Sequence, residues 1–299
     1  MPAFNAATTI GDAINSVLNQ SFHDFELVIV DDGSTDNTVE IVSGFTDPRI
    51  RLFKNTQNIG AAKTADIGMN HCRGTYVCRL DADDMFHKNK IKIQYNFMEQ
   101  NPKVILSGTH YRKIRDNKLL KGSSRHYFHV KDEELRVEML RNCPLNGVMF
   151  RRQSFLANGL RYRADYYEDY DLWLQASRHG RLHKINRPLL YYRVHSGQTT
   201  IVHADKQLAG GNKIRESLIR ELVPDITEQE LKTHLALMSD LNSKTGISGT
   251  DVKQWVDKVC RINEQKKAYN TRFFNRMMRH RGKRFFQVRA RRGHSLTVN

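Results

Sequence analysis

The placement of two acidic clusters constrains this chain more than any other feature. The apolar run Phe25-Glu26-Leu27-Val28-Ile29-Val30 ends directly on Asp31-Asp32-Gly33-Ser34-Thr35-Asp36, and Gly74-Thr75-Tyr76-Val77-Cys78-Arg79-Leu80 ends directly on Asp81-Ala82-Asp83-Asp84. Each run reads as a buried strand stopped by a turn. Helix-period segments alternate with them: Ile10, Ala13, Ile14, Val17 and Leu18 share one face, and Ser34 or Asp36 caps a helix carrying Val39, Ile41 and Val42. Ile50–Phe53 reads as a short strand and Asn58–Asn70 as a helix. Strand, helix and strand in alternation predict an α/β fold, a mostly parallel sheet flanked by helices, with ligands at the C-terminal strand edges. Carboxylates crowded at such an edge repel one another unless a cation or a donor-rich ligand sits among them. Solvated Asp-Gly turns account for either cluster alone, but poorly for both.

Downstream, Lys90–Gln100 continues as a helix, Val104–His110 as a strand, Asp132–Arg141 as a helix and Val148–Phe150 as a strand. Glu168–Ser177 is a helix with acidic residues in its first turn. After His203 the pattern turns helical, which predicts a first domain over 1–204 and a helical, basic segment over 205–299.

With 39% hydrophobic and 27% charged residues, the 299-residue chain fits a soluble globular protein of one large or two modest domains. The apolar run near Leu27–Val30 is far too short to span a membrane, and no basic region leads into an apolar stretch at the N-terminus. Cys72, Cys78, Cys143 and Cys260 form no CxxC pair and suit free thiols, so the expected location is cytoplasmic. The net charge is +16, and 12 Lys/Arg against one acidic residue fall in 261–299, so the body is only mildly basic. Such a tail suits an anionic surface, lipid or nucleic acid. Tyr269, Phe273 and Met277 form a stripe beside Phe274 and Met278, amid Arg272, Arg276 and Arg279; it reads as an interfacial helix or as a helix packed on its own domain. No zinc finger, RNP-type aromatic motif or helix-turn-helix accompanies the charge, so nucleic acid is not the expected partner. A nucleotidyltransferase is disfavoured because Pro2–Gly11 lacks a Gly-rich phosphate loop.

An ordered set of blocks resembles the family-2 glycosyltransferases with the GT-A nucleotide-sugar fold. They are Pro2-Ala3-Phe4-Asn5-Ala6, Ser16–Ser21, Val30–Asp36, Asn58-Ile59-Gly60, Leu80–Asp84, Glu168–Leu174 and Tyr192-Arg193-Val194-His195, covering roughly residues 1–200. The resemblance implies an inverting transfer from a UDP-sugar to a hydroxyl of a glycan or lipid-linked acceptor in surface-polysaccharide synthesis. It places Pro2, Ala3, Phe4 and Asp32 around the base, with Asp32 accepting from a ring N–H. It brings Asp81 to the ribose or a metal-bound water and makes Asp83 the ligand of a divalent cation, Mn²⁺ or Mg²⁺. Asp36 reads as a helix cap, and Asp84 as a tuning or capping group. Asp169 is implied as the base that takes the acceptor proton, with Glu168 orienting the acceptor. His195 is a metal or phosphate candidate and Arg193 a phosphate candidate. Trp173 and Leu174 read as packing residues. The sugar and the acceptor are not specified, and acceptor choice is expected to rest on loops between Thr109 and Asp165.

Two departures stand out. Family members carry an apolar strand immediately before the Pro-x-x-Asn block, where here Met1 precedes Pro2. The expectation is a misassigned or truncated start, or a catalytically silent protein, because losing a central strand exposes backbone polar groups and core area. In addition, Ala65-Asp66 stands where an Arg-Asn or Lys-Asn pair is usual, leaving Lys63 as the nearby cation.

Overall fold

In the computed structural model, residues 1–120, 131–142, 145–163, 166–239 and 246–291 are described, with side chains to residue 287. Cys143, Asp165 and part of the expected acceptor-loop region lie outside them. The chain divides into two compact units, Met1–Lys131 with Leu145–Ala204, and Asp132–Pro144 with Asp205–Asn299.

The first unit opens with β1 (Pro2–Ala3), α1 (Ile10–Leu18), β2 (Leu27–Asp31), α2 (Thr38–Ser43), β3 (Ile50–Lys54) and α3 (Ala61–His71). The β1, β2 and β3 strands form a parallel sheet in that order. All five β2 residues are buried, as expected of a strand with helices on both faces. Ile10, Ala13, Ile14 and Val17 bury the apolar stripe of α1.

After β4 (Tyr76–Cys78), β5 (Met85–Phe86) and α4 (Lys90–Gln100) come β6 (Val104–Arg115) and β7 (Lys118–Leu119). Beyond α5 (Asp132–Glu138), which belongs to the second unit, follow β8 (Asn146–Arg151), α6 (Arg152–Ala157), α7 (Glu168–Ser177), β9 (Arg181–Arg193) and α8 (Thr199–Val202). The order of the second sheet is β4-β8-β6-β9-β5, with β7 pairing to β6. The α/β class is as expected, but parallel pairing is confined to the first sheet and to β6 with β9; the other pairs are antiparallel. The long strand β9 is not foreshadowed by the sequence pattern. Its register jumps from Thr109↔Ile185 to His110↔Pro188, so exposed Asn186 and Arg187 bulge out and Pro188 sits where its missing N–H is tolerated.

Between β2 and β4 lies a cavity of about 610 Å³, bordered by Leu27, Val28, Tyr76, Cys78, Tyr95 and Met149. The Met1 ammonium donates to the Val28 carbonyl at 2.8 Å. Burial, followed by the charge of Arg79, lowers its pKa to about 6.

The second unit also contains α9 (Ala204–Leu222), α10 (Glu228–Met238), α11 (Gly249–Lys266) and α12 (Thr271–Arg291). Capping boxes start α10 at Thr227 with Glu230 and α11 at Ser248 with Asp251. Phe274, Met277, Met278 and Phe285 are buried while Arg272, Arg276, Arg279 and Lys283 are exposed. Most of the apolar stripe of α12 is therefore used in packing, and its described solvent-facing side is largely basic.

Candidate active site

The ends of β1 and β2 shape the first wall. Gly33 turns the chain at φ +72°, and a Cβ there would stand 2.8 Å from the Gln57 carbonyl carbon, so the turn after β2 presses on the loop before α3. Asn5, also left-handed at φ +48°, ties Phe4 to the same turn: its amide donates to Ser34 Oγ, and its Oδ1 accepts from the Thr35 amide. Ala3 is buried and Phe4 is 46% exposed, so an apolar ring faces outward beside the acidic turn.

Asp32 is engaged from within. Its Oδ1 accepts from Asn55 Nδ2 and the Ile59 amide, its Oδ2 accepts from the Gly60 amide, and it is 2% exposed. As placed, it anchors the Asn55–Gly60 loop. Asp31 receives the Ser34 amide on Oδ2, while its Oδ1 is buried without a partner. Asp36 accepts from the Thr38 amide at the start of α2 and from the Ala7 amide. Burial opposes its charge, but these bonds hold its pKa below the usual carboxylate range.

The second acidic turn follows β4. Asp83 Oδ2 lies 3.1 Å from His195 Nε2, joining positions 112 residues apart. Burial, then repulsion from Asp81, raises the Asp83 pKa; burial, then Asp83 and Asp81, raises that of Asp84 well above normal. These acids repel as the sequence suggested. No group of three or more His, Cys, Asp or Glu side chains poised for a metal occurs among the described residues. Asp83 and His195 are the two side chains that a divalent cation would meet at this turn.

Arg193 is buried, and each of its nitrogens donates a hydrogen bond. Its amide donates to Asp84 Oδ1, Nε to the Asp83 carbonyl, Nη1 to Asn117 Oδ1 and Nη2 to Asp12 Oδ2. It holds the acidic turn in place, and these bonds use three of the roughly five N–H groups a guanidinium carries. Gln198, which sequence reasoning passed over, donates to the Arg193 carbonyl and accepts from the His195 amide, fixing the loop that aims the imidazole. Polar residues two to five positions beyond a candidate ligand were the available signal.

The third acidic pair opens α7. Asp169 Oδ1 is sealed from solvent with no hydrogen-bond partner. Burial outweighs the attraction of Arg79 and, with repulsion from Glu168 and Asp81, pushes the Asp169 pKa up to about 7. A carboxyl so tuned accepts a proton readily near neutral pH. Trp173, 1% exposed, packs near Tyr162 and is no sugar platform. The structure thus gathers Asp81, Glu168 and Asp169 electrostatically, and Asp83 with His195 by direct contact.

Residues 1–159 match Glycosyl transferase family 2, just over half of the chain. The chain belongs to this family. It is a glycosyltransferase enzyme of the GT-A fold, and its relatives agree. An uncharacterized glycosyltransferase of Rickettsia felis is 32% identical over 214 residues, 70% of this chain but 35% of that protein, so this glycosyltransferase spans about a third of that relative's length. The UDP-Glc:alpha-D-GlcNAc-diphosphoundecaprenol beta-1,3-glucosyltransferase WfgD of Escherichia coli is 30% identical over 201 residues, covering 67% of this chain and 77% of WfgD. In fold, the glycosyltransferase resembles S. aureus TarS 1-349 in complex with UDP-GlcNAc, at TM-score 0.65 and 17% identity over 100% of this chain and 92% of that one. It also resembles the mannosyltransferase PcManGT from Pyrobaculum calidifontis in complex with GDP-Man and Mn2+, at TM-score 0.55 and 15% identity over 96% and 84% of the chains.

Proposed function

We propose that this glycosyltransferase moves a hexose from a UDP-sugar to a hydroxyl of a glycan or lipid-linked acceptor, with inversion, in the synthesis of a cell-surface polysaccharide. The observation that carries the reading is the sealed Asp169 carboxyl, tuned to about 7 and in electrostatic contact with Asp81 of the other acidic turn. A base at that pKa is what direct displacement by an acceptor hydroxyl requires. The naming of WfgD for UDP-Glc and a diphosphoundecaprenol acceptor, and the UDP-GlcNAc in the TarS complex, support the donor and acceptor classes.

Pro2, Ala3 and Phe4 form the wall for the nucleobase, and Asp32 sets the loop behind it. Asp81 takes the ribose or a metal-bound water. Asp83 and His195 would hold Mn²⁺ or Mg²⁺, which neutralises the departing diphosphate. Arg193 keeps Asp83 and Asp84 in register, Glu168 orients the acceptor, and Asp169 receives its proton. The exposed cations of α12 suit the anionic inner face of the cytoplasmic membrane, with electrostatics rather than an inserted apolar face supplying the attraction. Among the described residues, no helix is long and apolar enough to cross a membrane.

The test is UDP-glucose and UDP-GlcNAc hydrolysis or transfer with Mn²⁺ or Mg²⁺, comparing wild type with Asp83→Ala and Asp169→Asn. Asp83→Ala is expected to weaken metal-dependent donor binding, and Asp169→Asn to retain binding and lose turnover. Equal activity in all three proteins rejects the mechanism, and salt-sensitive nucleic-acid binding without affinity for UDP would replace it.

A further inference from the structure

Arg79 stands at the end of β4, two residues before the second acidic turn, and none of the roles above uses it. Its side chain is 11% exposed. Nε and Nη2 both donate to Asp81 Oδ1, at 2.9 and 2.7 Å, and the guanidinium lies over the Tyr162 ring, 5.1 Å from its centroid. Its remaining edge is the unusual part. Nη1, Tyr162 Oη and Asp169 Oδ1 are all sealed from solvent without a hydrogen bond of full geometry, the Tyr162 hydroxyl interacting with the Arg79 side chain. Buried polar atoms are nearly always paired, and a lone guanidinium nitrogen is among the costliest to leave open. Arg79 interacts electrostatically with Asp81, Tyr162, Asp169 and Glu168, so the open donor and the open acceptor belong to one cluster.

We propose that Arg79 is a positioning residue shared by the two halves of the reaction, holding Asp81 at the donor edge with one side of its guanidinium and facing Asp169 at the acceptor edge with the other. This rests on the assignment of Asp169 as the base. One fixed cation then governs two carboxylates that would otherwise repel each other. The planar fork matters as well as the charge, because it meets Asp81 through two nitrogens while leaving the third for the opposite side. The attraction of Arg79 already opposes the rise in the Asp169 pKa, so removing it should let that carboxyl rise further.

Two conservative variants separate charge from geometry. Arg79→Gln keeps a donor for Asp81 and removes the cation; Arg79→Lys keeps a cation and removes the fork. UDP-glucose and UDP-GlcNAc hydrolysis with Mn²⁺, in which water stands in for the acceptor, is followed from pH 5 to 9. For Arg79→Gln the acid limb of kcat is expected to move up by about one pH unit, with donor KM within about threefold of wild type. For Arg79→Lys the limb is expected to stay in place while donor KM rises by about tenfold. A merely structural role would lower the Tm and the amount of active enzyme without this crossed pattern. Unchanged limbs and unchanged KM in both folded variants overturn the proposal, as does an equal loss of kcat in both with no shift of the limb. If Arg79→Gln does not fold, Arg79→Lys decides alone, since an unaltered donor KM refutes the clamp on Asp81. Asp169→Asn is run alongside: full turnover in that protein removes the base assignment, whereas a dead Asp169→Asn beside an unshifted Arg79→Gln limb refutes only the role of Arg79.

Discussion

Replacing Asp169 with Asn should stabilise the fold while abolishing transfer. In the unfolded chain this carboxyl ionises near 3.8, and in the folded protein near 7. Below pH 3.8 both states are protonated and the residue makes no difference. As pH rises from 3.8 to 7 the unfolded state ionises and the folded state does not, so stability falls steadily; above 7 the penalty is complete, at about 4 kcal/mol. Asn fills the same space and has no charge to bury, so the variant escapes that cost. Its ceiling is lower than the full penalty because Arg79 then loses a counter-charge. The stability gap between Asp169→Asn and wild type should widen by about 2 to 3 kcal/mol between pH 5 and pH 8, from the same shift. For a protein of this size that corresponds to a difference in Tm of roughly 4 to 12 °C. Urea denaturation at both pH values, without added metal, measures the gap directly. Turnover should fall by about 10² to 10⁴, the contribution of a general base. A gap that does not grow with pH, or a variant less stable than wild type at pH 8, would refute the burial of a charged carboxylate at this position.

His195→Ala should weaken Mn²⁺-dependent UDP binding by about tenfold in calorimetry and leave metal-free binding unchanged, as expected for one of two protein ligands. Gly33→Ala should lower stability by about 1 to 3 kcal/mol through its left-handed φ and the approach of Gln57, and should weaken UDP binding with it; an unchanged Tm would sink this account of the turn. Arg193→Met should raise donor KM by unseating Asp83 and Asp84, with loss of metal dependence; retained metal affinity in calorimetry would show that Arg193 does not organise the turn. Adding an apolar strand of five or six residues ahead of Met1 should fill the cavity between β2 and β4 and relieve the buried ammonium. The gain in Tm should be larger at pH 6 than at pH 8.5, because the cost of protonating an amine held at about 6 is present below that pH and gone above its unfolded value of 8.0. An equal gain at both would disprove the charge component.

Local periodicity carried much of the fold. Ile10–Leu18, Lys90–Gln100 and Glu168–Ser177 form helices over the residues whose spacing announced them, although the buried face of the second also carries Lys90 and Gln94, paired with each other. The β9 strand was hidden, since Arg181, Lys184, Arg187 and Pro188 interrupt any alternation and its burial comes from β6 and β5 on either side. In the site, the acidic turns were readable because Asp after an apolar run is a local signal. The engagement of Asp32 by the Asn55–Gly60 loop, and of Arg193 by Asp12 and Asn117, was not, because both depend on partners brought together only by tertiary folding. Arg79 and Asp169 are ninety positions apart, and nothing in either segment points to the other.

The bulge at Asn186 and Arg187 divides β9 into two stretches with different freedom to vary in length. Upstream of it, a residue gained or lost can be absorbed where the chain already leaves the ladder. From Leu190 to Arg193 the strand is paired residue by residue with Tyr111 to Ile114, and a single insertion there would turn Arg193 to the opposite face and carry His195 out of reach of Asp83. Length changes among relatives should therefore collect at the bulge and stop short of the last four strand residues, keeping a fixed distance from the end of the sheet to the imidazole that meets Asp83.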